Sequence, residues 1–384
     1  MHPAPIKLSA IEQTSPTLWS HMRLCSLRAT LAATPAPDRW VLHDPRAWLG
    51  SAFHRVVEAI NRGVAPADAE AVWNAAVAET VARAASHPFD RRFAAPERWP
   101  SYFLIRQRAL ALAAKLGAPP RQEGGARIGH RLPGRDYEPE RRFEARGGRL
   151  VGRPDYYDGH TLTEYKSSLP DPAWPHAAAI TDSFQRQLRL YAVIIADTSG
   201  RWPDRGRVVA ASGQTLEVAI DPAACDAEAN AALAALDNLN ARLDGGAAPE
   251  QLAEPGVPAC SGCPFQILCP GFWQLLGRGC LETFKDAAIE GVLEHLAPGP
   301  DGDLYTVHLA ARSTAHGLNP EQAVVLRKLV HGELLPTDVG SLCRLAGGRV
   351  RPDGRIGADF STVVVALPNV PRLETATAPP RVTA

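Results

Sequence analysis

Two carboxylates and an amine lie close together in Gly152-Arg153-Pro154-Asp155 and Glu164-Tyr165-Lys166. Asp158-Gly159, between them, is a two-residue turn signal, so the β-type runs Leu150–Tyr157 and His160–Ser167 are expected to fold back as a hairpin. In that register Asp155 faces Leu162. Side chains alternate faces with period two, so Glu164 and Lys166 share the Asp155 face, with Glu164 a diagonal neighbour roughly 7–8 Å away. Two short carboxylates can span such a gap by sharing a divalent cation, and hard oxygen ligands suit Mg²⁺ or Mn²⁺. A cation held there would activate water and neutralise charge developing on a phosphate in transit, while Lys166 orients the water or helps deprotonate it. The chemistry implied is metal-dependent phosphodiester cleavage. Only Lys7, Lys115, Lys166, Lys285 and Lys328 interrupt the arginines among 41 basic residues. An ammonium is a compact donor with a tunable pKa, which a guanidinium cannot imitate. A surface hairpin with an exposed Glu–Lys pair would use the same residues, so the elements around them must decide.

Upstream, Asp44-Pro45 predicts a helix over 45–61 that stops at Gly63, with capping residue, first-turn proline and terminal glycine in place. Gly50 and His54 are four apart on it and share a face, so the glycine is expected to let the helix approach a sheet while the imidazole reaches over the edge. Downstream, Thr181–Ala196 is a second helix pattern, with Gln187 and Tyr191 four apart. The ordered set is Gly-x3-His, Gly-x2-Asp, Glu-x-Lys and Gln-x3-Tyr. This order resembles the RecB-like branch of the PD-(D/E)XK nuclease superfamily, across roughly Leu24 to Pro270. The resemblance implies that His54, Asp155 and Glu164 bind metal with the Tyr165 backbone carbonyl. It also implies that Lys166 serves the nucleophile and that Gln187 and Tyr191 hold the scissile strand.

Three of seven cysteines form Cys260-x2-Cys263-x5-Cys269, and Cys25 lies far upstream. Three thiolates at that spacing can grip one soft metal centre, and a remote fourth would close it and staple the chain ends. A disulfide framework is not expected: seven is odd, no apolar signal stretch precedes the domain, and a chain of this length builds a core without bridges. Spacing leaves zinc and an iron–sulfur cluster both open. The cysteine arrangement around the nuclease motifs resembles the iron–sulfur nucleases, namely the AddB nuclease domain and the CRISPR adaptation nuclease. That resemblance implies a 4Fe-4S cluster acting as a structural clasp, with zinc the lesser alternative. Cys225, Cys280 and Cys343 fit no ligand spacing and read as small apolar residues.

The chain has 384 residues, 45% hydrophobic and 21% charged, with zero formal net charge. That composition describes a globular chain of about two domains, neither disordered nor membrane-spanning, and expected in the cytoplasm. Zero net charge gives no global nucleic-acid footprint, but Arg121 to Arg153 is locally arginine-rich and stands ready to track a phosphate backbone. Helical patterns over 45–61, 67–86 and 98–117 suggest a helical cap, inserted at about 64–135. Strands are expected at 137–146, 149–157 and 160–167, then the Gln187 helix, a hairpin of 205–211 with 215–220 around Gly213, and a helix over 222–243. The fold class is therefore α/β: a restriction-endonuclease-like αβββαβ core within residues 1–280, with an N-terminal helical cap. A linker over 245–258 leads to the cysteine loop, where Phe265, Phe272 and Trp273 are available to pack around a cluster.

From about Thr283 the texture turns to short β-like runs at 288–293, 304–310, 323–327, 341–345 and 361–367. These suggest a small C-terminal β-barrel over 281–370, with an oligonucleotide-binding fold as one candidate. Only Phe284, Tyr305 and Phe360 are aromatic there, which is thin for a base-stacking platform, so protein docking or a lid stands beside it. The proline- and threonine-rich end from Leu367, above all 371–384, is expected to be loose. Together these features predict a Mg²⁺/Mn²⁺-dependent deoxyribonuclease, and the resemblance implies an exonuclease rather than an endonuclease, acting on single-stranded DNA or DNA ends. No Gly-x4-Gly-Lys-Ser/Thr motif is present, so a processive role would need a separate helicase. The alternatives are a CRISPR adaptation nuclease trimming spacer precursors with an integrase partner, and a catalytically inactive DNA-binding or scaffold subunit.

Overall fold

The computed structural model describes residues 3–35, 40–117, 142–173, 177–260, 262–277, 287–314 and 318–376. The chain opens with a short strand β1 (Ile6–Leu8) and two helices that the sequence patterning had not marked, α1 (Pro16–Met22) and α2 (Ser26–Ala33). Ser15 caps α1 by accepting from the Leu18 N–H. Helix α3 (Pro45–Asn61) follows its expected bounds: the Asp44 carboxylate accepts from the Arg46 N–H at 2.9 Å, and Gly63 leaves the helix at φ +95°. Next come α4 (Ala69–Ser86) and α5 (Tyr102–Leu116), which pack on α3 around Phe53 and Trp73, both fully buried. These three helices fall close to the expected helical patterns and form one layer.

The expected long strand 149–157 is broken. Its first part, β3 (Leu150–Gly152), pairs with β2 (Phe143–Ala145) as a separate hairpin, and its last part, β4 (Tyr156–Tyr157), joins another sheet. Residues 153–155 turn between the two, and Pro154, unable to donate to a ladder, sits at the break. The β2 to β3 turn uses Gly147 at φ +65° and Gly148 at φ +83°, as expected from the Gly-Gly pair.

The second sheet runs β4, β5 (Thr161–Lys166), β6 (Arg205–Ala210) and β7 (Thr215–Val218). β5 and β6 are parallel, joined by the long crossover helix α6 (Ala177–Ser199), and the other pairs are antiparallel. Helix α7 (Pro222–Asp244) packs along α6, and Leu188, Ala192, Ala229, Ala232 and Leu236 are buried in the core they share. β5 is thus buried on both faces: Leu162 belongs to the core shared with α6, and Tyr165 to the core shared with the three-helix cap.

Two short helices, α8 (Pro249–Leu252) and α9 (Val257–Cys260), precede the cysteine loop, and α10 (Pro270–Gly277) follows it. The C-terminal region is a nearly closed, barrel-like sheet. β8 (Ala287–Pro298) lies between β9 (Leu304–Thr314) and β11 (Leu342–Val350). β10 (Glu321–Arg327) borders β9, while β12 (Ile356–Gly357) and β13 (Val363–Ala366) both pair with β11. Register shifts at Glu290/Gly291, Leu293/His295 and Leu345/Gly348 mark the bulges that curl the sheet. Helix α11 (Lys328–His331) crosses between β10 and β11.

The expected loose end does not begin at Leu367. β14 (Leu373–Thr375) pairs in parallel with β1, so the first and last strands of the described chain zip together, Ile6 beside Leu373 and Leu8 beside Thr375. Leu8 is fully buried, which provides the apolar anchor that the composition of this segment hid. Residues 377–384 lie outside the described residues, as do Cys280, Phe284 and Lys285.

Candidate active site

The β4 to β5 register differs from the expected one by two residues. Tyr156 pairs with Thr163 and Tyr157 with Leu162, so the two-residue turn is Gly159-His160 rather than Asp158-Gly159. Asp158 closes it instead: its carboxylate accepts from the N–H groups of His160 and Thr161 at 2.9 and 2.6 Å, and Gly159 takes φ +92°. An even offset leaves every side chain on its face. It also carries the register from Tyr156–Thr163 to a position where Asp155 stands level with Glu164 rather than diagonal to it.

Asp155 is anchored by the Tyr165 N–H, which donates to Oδ2 at 2.7 Å, and its Oδ1 lies 3.3 Å from His54 Nδ1. The imidazole comes from α3, reaching the carboxylate as expected. Burial alone would depress the His54 pKa, but the hydrogen bond to Asp155 and the charges of Asp155 and Glu164 outweigh it and raise it. On the neighbouring strand, Glu164 Oε1 accepts from Lys166 Nζ at 2.7 Å and from Gln187 Nε2 at 2.8 Å. Lys166 Nζ also donates to Gln187 Oε1 at 2.9 Å and sits 5.2 Å from the Phe184 ring centroid. Gln187 Nε2 is 3.3 Å from the Tyr191 hydroxyl. One chain of contacts therefore runs from Tyr191 through Gln187 to Lys166 and Glu164, and His54 and Asp155 stand beside it.

Glu164 is almost completely buried, and its Oε2 has no hydrogen-bond partner. Burial, then the Asp155 charge, pushes its pKa up to about 7. A buried oxygen with no donor, next to a second carboxylate and an imidazole, is a donor set that suits a hard divalent cation. The Tyr165 ring points the other way, into the helical cap, and burial holds its phenol up at about 12.

The two motif glycines have different surroundings from those expected. A Cβ on Gly50 would meet nothing within 4 Å, so this glycine does not mark a tight contact between helix and sheet, and the space beside it is open. Gly152 is the close approach: a Cβ there would lie 2.7 Å from Tyr191 Cε1 and 2.8 Å from Ile194 Cδ1. Gly152 lets β3 press onto the α6 face that carries Tyr191. Among the arginines expected to track phosphates, residues 121–141 lie outside the described residues. Arg146 pairs with Asp197 and Asp226, and Arg149 with Asp237, so these two fasten the β2–β3 hairpin to α6 and α7.

The residues matched by the family model for the PD-(D/E)XK nuclease superfamily run from 13 to 270, and the chain belongs to that superfamily. No curated protein matches the chain. No helix among the described residues is long and apolar enough to cross a membrane.

Cys25, Cys260, Cys263 and Cys269 line one pocket together with Leu27, Arg28 and Phe272. Cys25 sits at the N-terminus of α2, so the first helical pair carries it back to the loop between α9 and α10. Backbone N–H groups of Glu254 and Phe272 donate to the sulfurs of Cys25 and Cys269, both at 3.4 Å. Burial first, with neighbouring sulfurs adding to it, pushes the Cys263 and Cys269 thiols up to about 11 and 12. Four cysteines lining one pocket, two of their sulfurs already accepting amide hydrogen bonds, are a donor set that suits a thiolate-bound metal centre. Phe265, Phe272 and Trp273 are buried in the core beside this loop, and Trp273 Nε1 donates to Gln266 O at 2.8 Å. Cys225 and Cys343 are buried apart from this pocket.

Sequence reasoning missed a second polar cluster. His43, His87 and Asp90 bring ligand atoms within 4.8 Å of one another. The i, i+3 spacing of His87 and Asp90 was the available signal, but nothing in the sequence tied it to His43.

Proposed function

We propose that the protein is a metal-dependent deoxyribonuclease of the RecB-like branch, with a restriction-endonuclease-like core, acting on single-stranded DNA or DNA ends in repair, recombination or defence. The observation that carries this reading is the orphaned, buried Oε2 of Glu164, flanked by Asp155, His54 and Lys166. His54, Asp155, Glu164 and the Tyr165 carbonyl would hold Mg²⁺ or Mn²⁺. When bound, the ion supplies Lewis acidity for the attacking water and for the charge that grows on the phosphate. Lys166 orients the nucleophile through its hydrogen bonds to Glu164 and Gln187. Gln187 keeps Lys166 and Glu164 in register, and with Tyr191 it holds the scissile strand. The open space beside Gly50, on the helix that carries His54, gives that strand a path.

The four cysteines hold a 4Fe-4S cluster in this reading, zinc being the alternative, and clasp the first helices to the loop after α9. The nearly closed C-terminal sheet of β8 to β13 is read as a small barrel, with an oligonucleotide-binding fold as one candidate. Its aromatic residues argue for docking rather than base stacking: Tyr305 is buried with its hydroxyl on Gly332 O, and Phe360 packs edge-on against Phe93, centroids 5.1 Å apart.

Purified protein with Mn²⁺ should degrade labelled single-stranded DNA, and Asp155→Ala and Lys166→Ala proteins that fold normally should not. Equal residual cleavage in wild type and variants would discard the assignment in favour of an inactive DNA-binding subunit.

A further inference from the structure

We propose that His43, His87 and Asp90 form a separate site for a divalent metal ion of the zinc class, which pins the junction between the nuclease half and the C-terminal barrel. Asp90 Oδ2 lies 2.6 Å from His43 Nδ1 and 3.3 Å from His87 Nδ1, and the two imidazoles meet edge to face with centroids 5.3 Å apart. Asp90 is almost completely buried, and its Oδ1 has no hydrogen-bond partner. His87 Nδ1 accepts from the N–H groups of Phe89 and Asp90, both at 3.2 Å, so this nitrogen presents a lone pair. Because that lone pair already accepts from two amides, Nδ1 brings no proton to Asp90, and a cation would compensate the buried carboxylate and its orphaned oxygen. Arg92 adds positive charge nearby, but its guanidinium hydrogen-bonds Thr362 O rather than Asp90.

Two imidazoles and one carboxylate are the ligand set of a borderline-soft ion such as Zn²⁺, not of Mg²⁺. His43 is partly exposed, which leaves an entry path and room for a water as fourth ligand. The site stands where three parts of the chain meet. The Leu42 N–H donates to Pro264 O in the cysteine loop at 2.8 Å. Arg91 Nη2 donates to Lys328 O at 3.0 Å, Arg92 Nη1 to Thr362 O at 3.2 Å, and Phe93 packs on Phe360. An ion on His43, His87 and Asp90 fixes the segment carrying these contacts against the start of α3.

The test uses the full chain with its cysteine-bound metal in place. Crystals grown with Zn²⁺ should give an anomalous difference peak at the zinc edge about 2.0–2.2 Å from a ring nitrogen of each histidine and an oxygen of Asp90. In solution, wild type equilibrated with micromolar Zn²⁺ should retain one more zinc equivalent than His43→Gln, chosen because His43 is the most exposed ligand. The variant should also lose the zinc-dependent rise in melting temperature while keeping its cysteine-bound metal. No peak at the triad, or equal zinc content and equal melting response in the two proteins, would overturn the proposal and leave a proton-held His–Asp contact. Neither readout depends on nuclease activity.

Discussion

Lys166 holds Glu164 by one oxygen alone: Nζ donates to Oε1 at 2.7 Å, while Oε2 stays buried with no hydrogen-bond partner. The pair is therefore half-compensated, and its consequences are electrostatic. Burial and the Asp155 charge raise Glu164 to about 7.

A carboxyl raised in this way binds its proton more tightly in the folded than in the unfolded chain, where the value is ~4.3. Its contribution to stability is complete below the unfolded value and is lost as pH rises through about 7. His54 is also raised, and its contribution falls away with rising pH in the same sense. Metal-depleted protein should thus melt at a lower temperature at pH ~8 than at pH ~5, and Glu164→Gln should flatten part of that slope. Because Mn²⁺ competes with the proton, its affinity, measured by calorimetry, should rise over the same window. Identical pH slopes in wild type and variant would remove Glu164 as the cause.

The two motif glycines make opposite predictions. Gly50→Ala adds a methyl to open space within a helix and should stabilise the fold by ~0.5–1 kcal/mol in chemical denaturation. Gly152→Ala drives a Cβ into Tyr191 and Ile194 and should cost ~1–3 kcal/mol. If the open space beside Gly50 admits the substrate strand, Gly50→Ala will also raise KM for DNA while the fold is firmer, a separation that steady-state kinetics can read.

Removing residues 373–384 deletes β14, the strand partner of β1, which carries the fully buried Leu8. Leu8→Ala makes the same point without truncation, at ~2–5 kcal/mol. Both proteins should melt measurably below wild type. A truncated chain as stable as the full one would mean that the parallel β1–β14 pair contributes nothing.

Cys25→Ser should lower metal content and melting temperature together, because Cys25 brings α2 to the loop holding the other three sulfurs. Anaerobically purified wild type should be brown with broad absorption in the blue if the centre is iron and sulfur, and colourless and zinc-replete if it is not. Unchanged stability in Cys25→Ser would place the fourth ligand elsewhere.

Much of the nuclease half was legible because its signals are local. Asp44-Pro45 and Gly63 bound α3, and period-two alternation put Asp155, Glu164 and Lys166 on one face. That face assignment survived a two-residue register error only because the error was even. The break at Pro154 was readable from the missing N–H, yet the alternation on either side outweighed it. The last strand was illegible, since a three-residue run among prolines and threonines has no periodicity of its own and exists only where β1 offers an edge.

The sequence by itself determined which chemistry the chain carries, because carboxylate, imidazole, ammonium and thiol identities and their helix or strand spacing are written in short range. Only the tertiary structure decided that Gly152, not Gly50, is the glycine packed close, that arginines 146 and 149 pair with acids of α6 and α7, and that His43 meets His87 and Asp90. Each of these depends on which distant surfaces come into contact, and burial of those surfaces, rather than any local pattern, sets the separations and charges that follow.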